Sequence, residues 1–146
     1  MAALLDTNIL LRSVQTRHPH FALVERALAV LRSRKEALYV TNQHLIEFWA
    51  VATRPEGSEN GLGLTTENAV KELAVLKELF TVLPEPNGLF EEWERLVSAY
   101  RVSGKNTHDA KLVASMRLQG INRILTFNVP DFARYPGIEI LHPKAI

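Results

Sequence analysis

Asp6, Glu47 and Asp109 each stand where an apolar run gives way to a turn or a helix, places that normally carry no structural carboxylate. Acids drawn from distant parts of a chain into one crevice are hard oxygen ligands, suited to Mg²⁺ or Mn²⁺. A cation held that way activates water and offsets charge on a phosphoryl group. The chemistry suggested is metal-assisted hydrolysis.

Asp6 follows the apolar Ala2-Ala3-Leu4-Leu5 and precedes Thr7-Asn8-Ile9-Leu10-Leu11, a pattern that predicts a short buried strand and then a helix. An aspartate at the carboxyl end of such a strand projects into the crevice where open α/β sheets bind ligands, with Thr7 or Asn8 as the expected helix cap. Glu47 is the one acid in Leu45-Ile46-Glu47-Phe48-Trp49-Ala50-Val51-Ala52. Burying it unpaired is costly, so it has to face water, a cation or a hydrogen-bond partner. Asp109, in Thr107-His108-Asp109-Ala110, falls in the first turn of a predicted helix, where free amides and the helix dipole favour negative charge with or without a catalytic task.

A fourth segment, Ile124-Leu125-Thr126-Phe127-Asn128-Val129-Pro130-Asp131-Phe132, again ends a strand in polar residues. Thr126 and Asn128 are placed to line the crevice of Asp6, while Asp131, just after Pro130, reads first as a helix-start acid. Asn8 and Thr126 are assigned to positioning, since each can bond a carboxylate or a bound water. His108 turns about 100° from Asp109 on helical geometry and is expected to be a cap or surface residue. The other histidines lack metal-ligand spacing, and zero cysteines exclude disulfides, thiolate zinc sites and cysteine nucleophiles.

The elements that would position these residues alternate. Helical spacing of Phe21, Val24, Leu28 and Leu31 predicts a helix to Arg34, and Ala37 to Thr41 predicts a strand. From Asn42 to Thr53 apolar residues run nearly all round, predicting a helix buried on several sides. Pro55 to Gly63 is a breaker-rich loop. A helix from the Thr65 region to about Phe80 should turn Val70, Leu73, Leu76, Leu79 and Phe80 inward, and Thr81 to Leu83 is a short strand. Leu89 to Val102 and a segment capped by Thr107 and running to Gln119 complete the helices; strands at Arg123 to Thr126 and Ile138 to Leu141 finish the sheet. This alternation is the pattern of a mostly parallel sheet flanked by helices.

At 146 residues the chain has the length of a single domain, 1–146, able to bury its own core. With 17 basic and 16 acidic residues, a net of +1, no global field announces nucleic acid, so local groups such as Arg12, Arg17, Arg54 and Lys105 would have to do so. No stretch nears the length of a membrane span and no signal peptide is evident, so a soluble cytoplasmic protein is expected.

Taken together, Leu-Leu-Asp-Thr-Asn-Ile-Leu-Leu at the N-terminus, the lone Glu47, Thr-His-Asp-Ala-Lys-Leu-Val-Ala, and Ile-Leu-Thr-Phe-Asn-Val-Pro-Asp-Phe resemble the PIN-domain ribonucleases, particularly the VapC-type toxins. The resemblance spans essentially the whole chain. It implies a three-layer α/β/α sandwich with a central, mainly parallel sheet. Asp6, Glu47 and Asp109 match the three leading acidic positions of the active site, and the fourth falls on Asn128, a neutral amide. On that pattern Asp6 and Asp109 would ligate Mg²⁺ or Mn²⁺ directly, with Glu47 holding a metal-bound water or a second ion.

The implied activity is endoribonuclease cleavage of single-stranded RNA, within a type II toxin–antitoxin pair. A cognate antitoxin and a homodimer are the implied partners, the latter also favoured by the apolar excess around Phe48 and Trp49. Two rival readings are a stand-alone RNA-processing nuclease of the same family and a non-catalytic RNA-binding or scaffold domain.

Overall fold

The computed structural model describes residues Met1–Ile146. Its centre is β1, Ala2–Leu5, whose Ala3, Leu4 and Leu5 are wholly buried. A strand covered on both faces reads as an unbroken apolar run, which explains why no alternation is visible there. Leu4 and Leu5 point to opposite faces and enter two separate cores.

Around β1 the chain lays down α1 (Thr7–Val14), α2 (Phe21–Ser33), β2 (Ala37–Thr41), α3 (Asn42–Ala52), α4 (Thr66–Leu79) and β3 (Thr81–Leu83). Then follow α5 (Leu89–Ala99), α6 (Asn106–Leu118), β4 (Arg123–Leu125), α7 (Val129–Phe132), β5 (Glu139–Leu141) and a 3₁₀ turn, Pro143–Ala145. The five strands form one sheet in the order β3-β2-β1-β4-β5. All four pairings are parallel. The expected mainly parallel sheet is therefore parallel throughout.

One core packs Leu5, Ile9, Leu28, Phe48 and Leu76 beneath the first four helices, and the other packs Leu4, Leu96, Leu112, Val113 and Phe132 beneath the last three. Each fully buried side chain of this kind contributes about 1.5–3 kcal/mol. Helices on both faces make the expected three layers. The strand order runs one way from β1 through β2 to β3 and the other way from β4 to β5. That reversal opens a crevice at the carboxyl ends of β1 and β4, where this class of sheet binds ligands.

Several local expectations are corrected. Asp6 itself caps α1, its side chain accepting from the Thr7 N–H, so neither Thr7 nor Asn8 is the cap. Thr107 lies inside the first turn of α6, which starts one residue earlier; its hydroxyl donates to the Gly104 carbonyl at 2.7 Å. Gly104 has φ +63°, and this left-handed turn lets the helix begin sooner than the threonine signal suggested.

Val70 and Leu79 of α4 are 56% and 51% exposed, with Ala69 and Leu76 facing in, so the buried stripe is narrower than predicted. On α3, His44, Leu45 and Phe48 are buried, but Ile46 is 69% exposed: the helix is covered on one side only. On α5, Phe90 likewise points outward. The Pro55 to Gly63 loop is irregular, as its composition predicts, and it folds back on the end of α3. A side chain at Gly61 would meet the Pro55 carbonyl at 2.4 Å, so only glycine fits. No helix is long and apolar enough to cross a membrane.

Candidate active site

Asp6 leaves the end of β1 into the crevice, and its backbone N–H donates to the carbonyl of Leu125, the last residue of β4. Both carboxylate oxygens are engaged. Oδ1 accepts from the Thr7 N–H at 2.8 Å. Oδ2 accepts from the Thr126 hydroxyl at 2.8 Å and, at 3.4 Å, from the Asn8 amide. Asn8 also donates to Thr126 Oγ1 at 3.3 Å, and its own oxygen accepts from the Phe127 N–H at 3.3 Å. The two residues assigned to positioning thus hold Asp6 from both sides of the strand reversal. Asp6 is buried, and burial raises its carboxyl above the ordinary value despite the bonds from Thr126 and Thr7; Asp131 pushes it the same way.

Glu47 is reached from α3. Its Oε2 accepts from the Thr7 hydroxyl at 2.7 Å and its Oε1 from Gln43 at 3.0 Å. Gln43 also donates to the His108 carbonyl at 3.2 Å, tying α3 to the start of α6. The partners required for a carboxylate in that apolar surround are therefore Thr7 and Gln43.

Asp109 stands half-buried in the first turn of α6. Its carboxyl is pushed up to about 7, first by burial, then by the negative charges of Asp6, Asp131 and Glu47, with Lys105 opposing. Four carboxylates from β1, α3, α6 and α7 thus share one field. No three of these groups stand close enough together to enclose an ion. Magnesium does not need enclosure, since it keeps most of its waters and takes one or two carboxylates with the substrate's phosphate. A cluster of acids in mutual repulsion, one of them protonated near neutrality, is a donor set that a cation would relieve, so these residues fit a divalent ion.

Asn128, expected at the fourth position, is exposed; its backbone N–H donates to Thr126 Oγ1 at 2.9 Å. Asp131 sits one turn on in α7, and its influence on both Asp6 and Asp109 brings it into the cluster, where sequence alone favoured a plain helix-start acid. His108 is an exposed residue, as expected.

Three contributors escaped the sequence reading. Thr7 looked like a cap. Gln43 lies four residues before Glu47, on the same helix face, and that spacing was the available signal. His44 is wholly buried, and burial pushes it down to about 4, so the ring is neutral at physiological pH. Its Nδ1 accepts from the Thr41 N–H at 3.2 Å within a capping box, which leaves the proton on Nε2. That nitrogen has no hydrogen-bond partner and faces Asp6 Oδ1 from 3.7 Å.

The chain matches the PIN domain over residues 3–138. No curated protein sequence is significantly similar to it. Among solved structures, it resembles a chain of VapBC2 from Rickettsia felis bound to a promoter DNA fragment, with TM-score 0.72, 13% identity and coverage of 97% of this chain and 98% of that one. A chain of VapBC-1 from nontypeable Haemophilus influenzae gives TM-score 0.71 at 18% identity, covering 99% of both. The Mycobacterium tuberculosis toxin VapC20, described as cleaving the sarcin-ricin loop, gives TM-score 0.64 at 20% identity, covering 91% of this chain and 94% of that one. At such identities the likeness speaks for the fold.

Proposed function

The chain belongs to the PIN domain family, and from that premise we propose that it is a divalent-metal-dependent endoribonuclease acting on single-stranded RNA, the toxin of a type II toxin–antitoxin pair. The observation that carries the reading is geometric: the N–H and hydroxyl of Thr7 hold one oxygen each of Asp6 and Glu47, and Gln43 ties Glu47 to the first turn of α6 that bears Asp109. Structural likeness to chains of toxin–antitoxin complexes supports the biological setting.

Asp6 and Asp109 would hold the cation, with Glu47 attending a water and Asn128 offering a neutral oxygen. When bound, Mg²⁺ or Mn²⁺ supplies Lewis acidity, activating water and stabilising the charge that develops on the phosphoryl oxygens. Asp6 presents a fixed face because Thr7, Asn8 and Thr126 hold it. Asp109 has no such tether, so proton and cation compete for it. Thr7 and Gln43 fix both oxygens of Glu47, keeping it from swinging towards Asp109. Single-stranded RNA suits an open crevice, because an extended backbone can pass close to the acids with its bases splayed.

We also infer a homodimer through the outer side of α3, where exposed Ile46 and half-buried Trp49 meet Leu45 and Leu73 in an apolar groove. A monomer in solution scattering at micromolar concentration would refute it. For an antitoxin, the fitting mode is an extended or helical segment laid in an apolar groove, with a basic side chain reaching the carboxylates and competing with the cation.

The test is Mn²⁺-dependent cleavage of a generic single-stranded RNA, with Asp6→Asn as control and the 5′ ends of the fragments sequenced. Cleavage lost in the variant supports the nuclease. RNA binding without cleavage by the unmodified chain would instead make it a scaffold.

A further inference from the structure

Next to the acids lies a groove lined by Asn8, Arg12, His20, Arg54, Phe127 and Asn128, with Glu59 at its rim. Its volume is about 310 Å³, at the lower end of the roughly 300–1,000 Å³ of small-molecule sites. Asn8 donates to Asp6, and the Asn128 N–H donates to the Thr126 hydroxyl that also holds Asp6, so the groove adjoins the crevice.

Arg12 is half-buried on α1, yet none of the ion pairs in the protein includes it. Its guanidinium donates to the neutral side-chain oxygen of Gln15, and burial lowers its pKa from the ordinary value. A partly buried cation without an anion is costly in the free protein and complementary to an anionic ligand. Arg54 faces the same groove; its one carboxylate, Glu59, is 3.5 Å away and 79% exposed, a contact that water screens heavily.

In the same groove the His20 ring stacks on Phe127, with centroids 4.9 Å apart and planes 17° from parallel. The His142 ring meets Phe127 edge-on at 5.3 Å. The Phe127 N–H donates to Asn8, so the platform is tied to the residue that also holds Asp6. His20 is exposed.

We propose that this groove is a nucleotide subsite: Arg12 and Arg54 receive the phosphate adjoining the one cut at the acids, and the His20–Phe127 stack carries a neighbouring base. The assignment rests on the ribonuclease reading. Arginine forks match phosphate oxygens, and aromatic faces accept any base without regard to sequence. An acidic protein segment would satisfy the arginines but leave the stacked rings unused; RNA uses both.

The chain carrying Asp6→Asn, expected to block cleavage, is titrated with a fluorescein-labelled eight-nucleotide single-stranded RNA of mixed sequence at several salt concentrations. Arg12→Gln and Arg54→Gln are each expected to weaken binding about tenfold and to flatten the slope of log K against log salt by about 0.7. His20→Ala should weaken binding while leaving the slope intact. Arg12→Lys, which keeps the charge, should restore the slope and separates charge loss from misfolding. If the arginine variants bind with unaltered affinity and slope while the unmodified chain still cleaves RNA with Mn²⁺, the groove assignment falls and the nuclease stands. If the unmodified chain neither binds nor cleaves RNA, both fall. Variants that keep RNA but lose a protein partner would give the groove to that partner and overturn the proposal.

Discussion

The hydroxyl of Thr7 donates to Glu47 Oε2 at 2.7 Å, joining the first turn of α1 to α3 across forty residues of sequence. The backbone N–H of the same residue holds Asp6 Oδ1. One threonine therefore sets two of the acids. Thr7→Val keeps the shape and the backbone bond but frees Glu47. We expect Mn²⁺ affinity to fall by about 10–100-fold, the usual cost of losing a group that orients a ligand. Thr7→Ser should recover it. Electron paramagnetic resonance of free Mn²⁺ measures the change directly, and a valine variant with wild-type affinity would leave Thr7 merely structural.

Asp109 gives a prediction about stability without metal. Its folded pKa of about 7 lies above the ordinary value of 3.8. The folded state thus holds a proton that the unfolded state releases, and its contribution is present below the unfolded value and lost as pH rises through about 7. In EDTA at pH 8, Asp109→Asn should melt at a higher temperature than the unmodified chain, because it removes repulsion from Asp6, Asp131 and Glu47. Mg²⁺ should raise the melting temperature of the unmodified chain more than that of the variant. Equal responses to Mg²⁺ would separate Asp109 from the cation.

His44 works in the opposite sense over an overlapping window. Burial lowers it from 6.5 to about 4, so its contribution is complete above the unfolded value and lost as pH falls towards the folded one. The limiting slope for one proton is about 1.4 kcal/mol per pH unit. Asp109 and Asp6, both raised, gain stability in that same acid range and mask the loss. Asp109→Asn should therefore steepen acid denaturation between pH 6.5 and 4, and adding His44→Gln should flatten it again. Chemical denaturation at a series of pH values reads this out; a double variant as acid-labile as the single would remove His44 as the cause.

The legible parts of the molecule were those with long periodicity or a sharp chemical anomaly. β2 and the start of α4 follow from apolar pattern and capping threonine, and Glu47 drew attention because no apolar face tolerates a lone acid. What stayed hidden depends on tertiary pairing. Asp6 outcompetes its neighbours as the α1 cap because the strand reversal fixes its backbone, a fact no local propensity contains. Val70 and Leu79 share spacing with the core stripe but face outward, since the rotation of α4 about its axis is set by contacts with α3. Four-residue α7 is too short to display a period at all.

Asn128 is the residue expected at the family's fourth acidic position, and an amide cannot supply the charge. Asp131 lies one turn further on, its backbone N–H bonded to the Asn128 carbonyl at 3.1 Å, and its charge reaches both Asp6 and Asp109. The charge missing at one position is thus present at the next turn. Asp131→Asn should lower the pKa of Asp109, followed by carboxyl NMR in metal-free protein, and weaken Mn²⁺ binding more than Asn128→Ala does. Restoring an acid by Asn128→Asp in the Asp131→Asn background should recover affinity. If Asn128→Ala proves the more damaging change, the amide oxygen rather than the Asp131 charge completes the site.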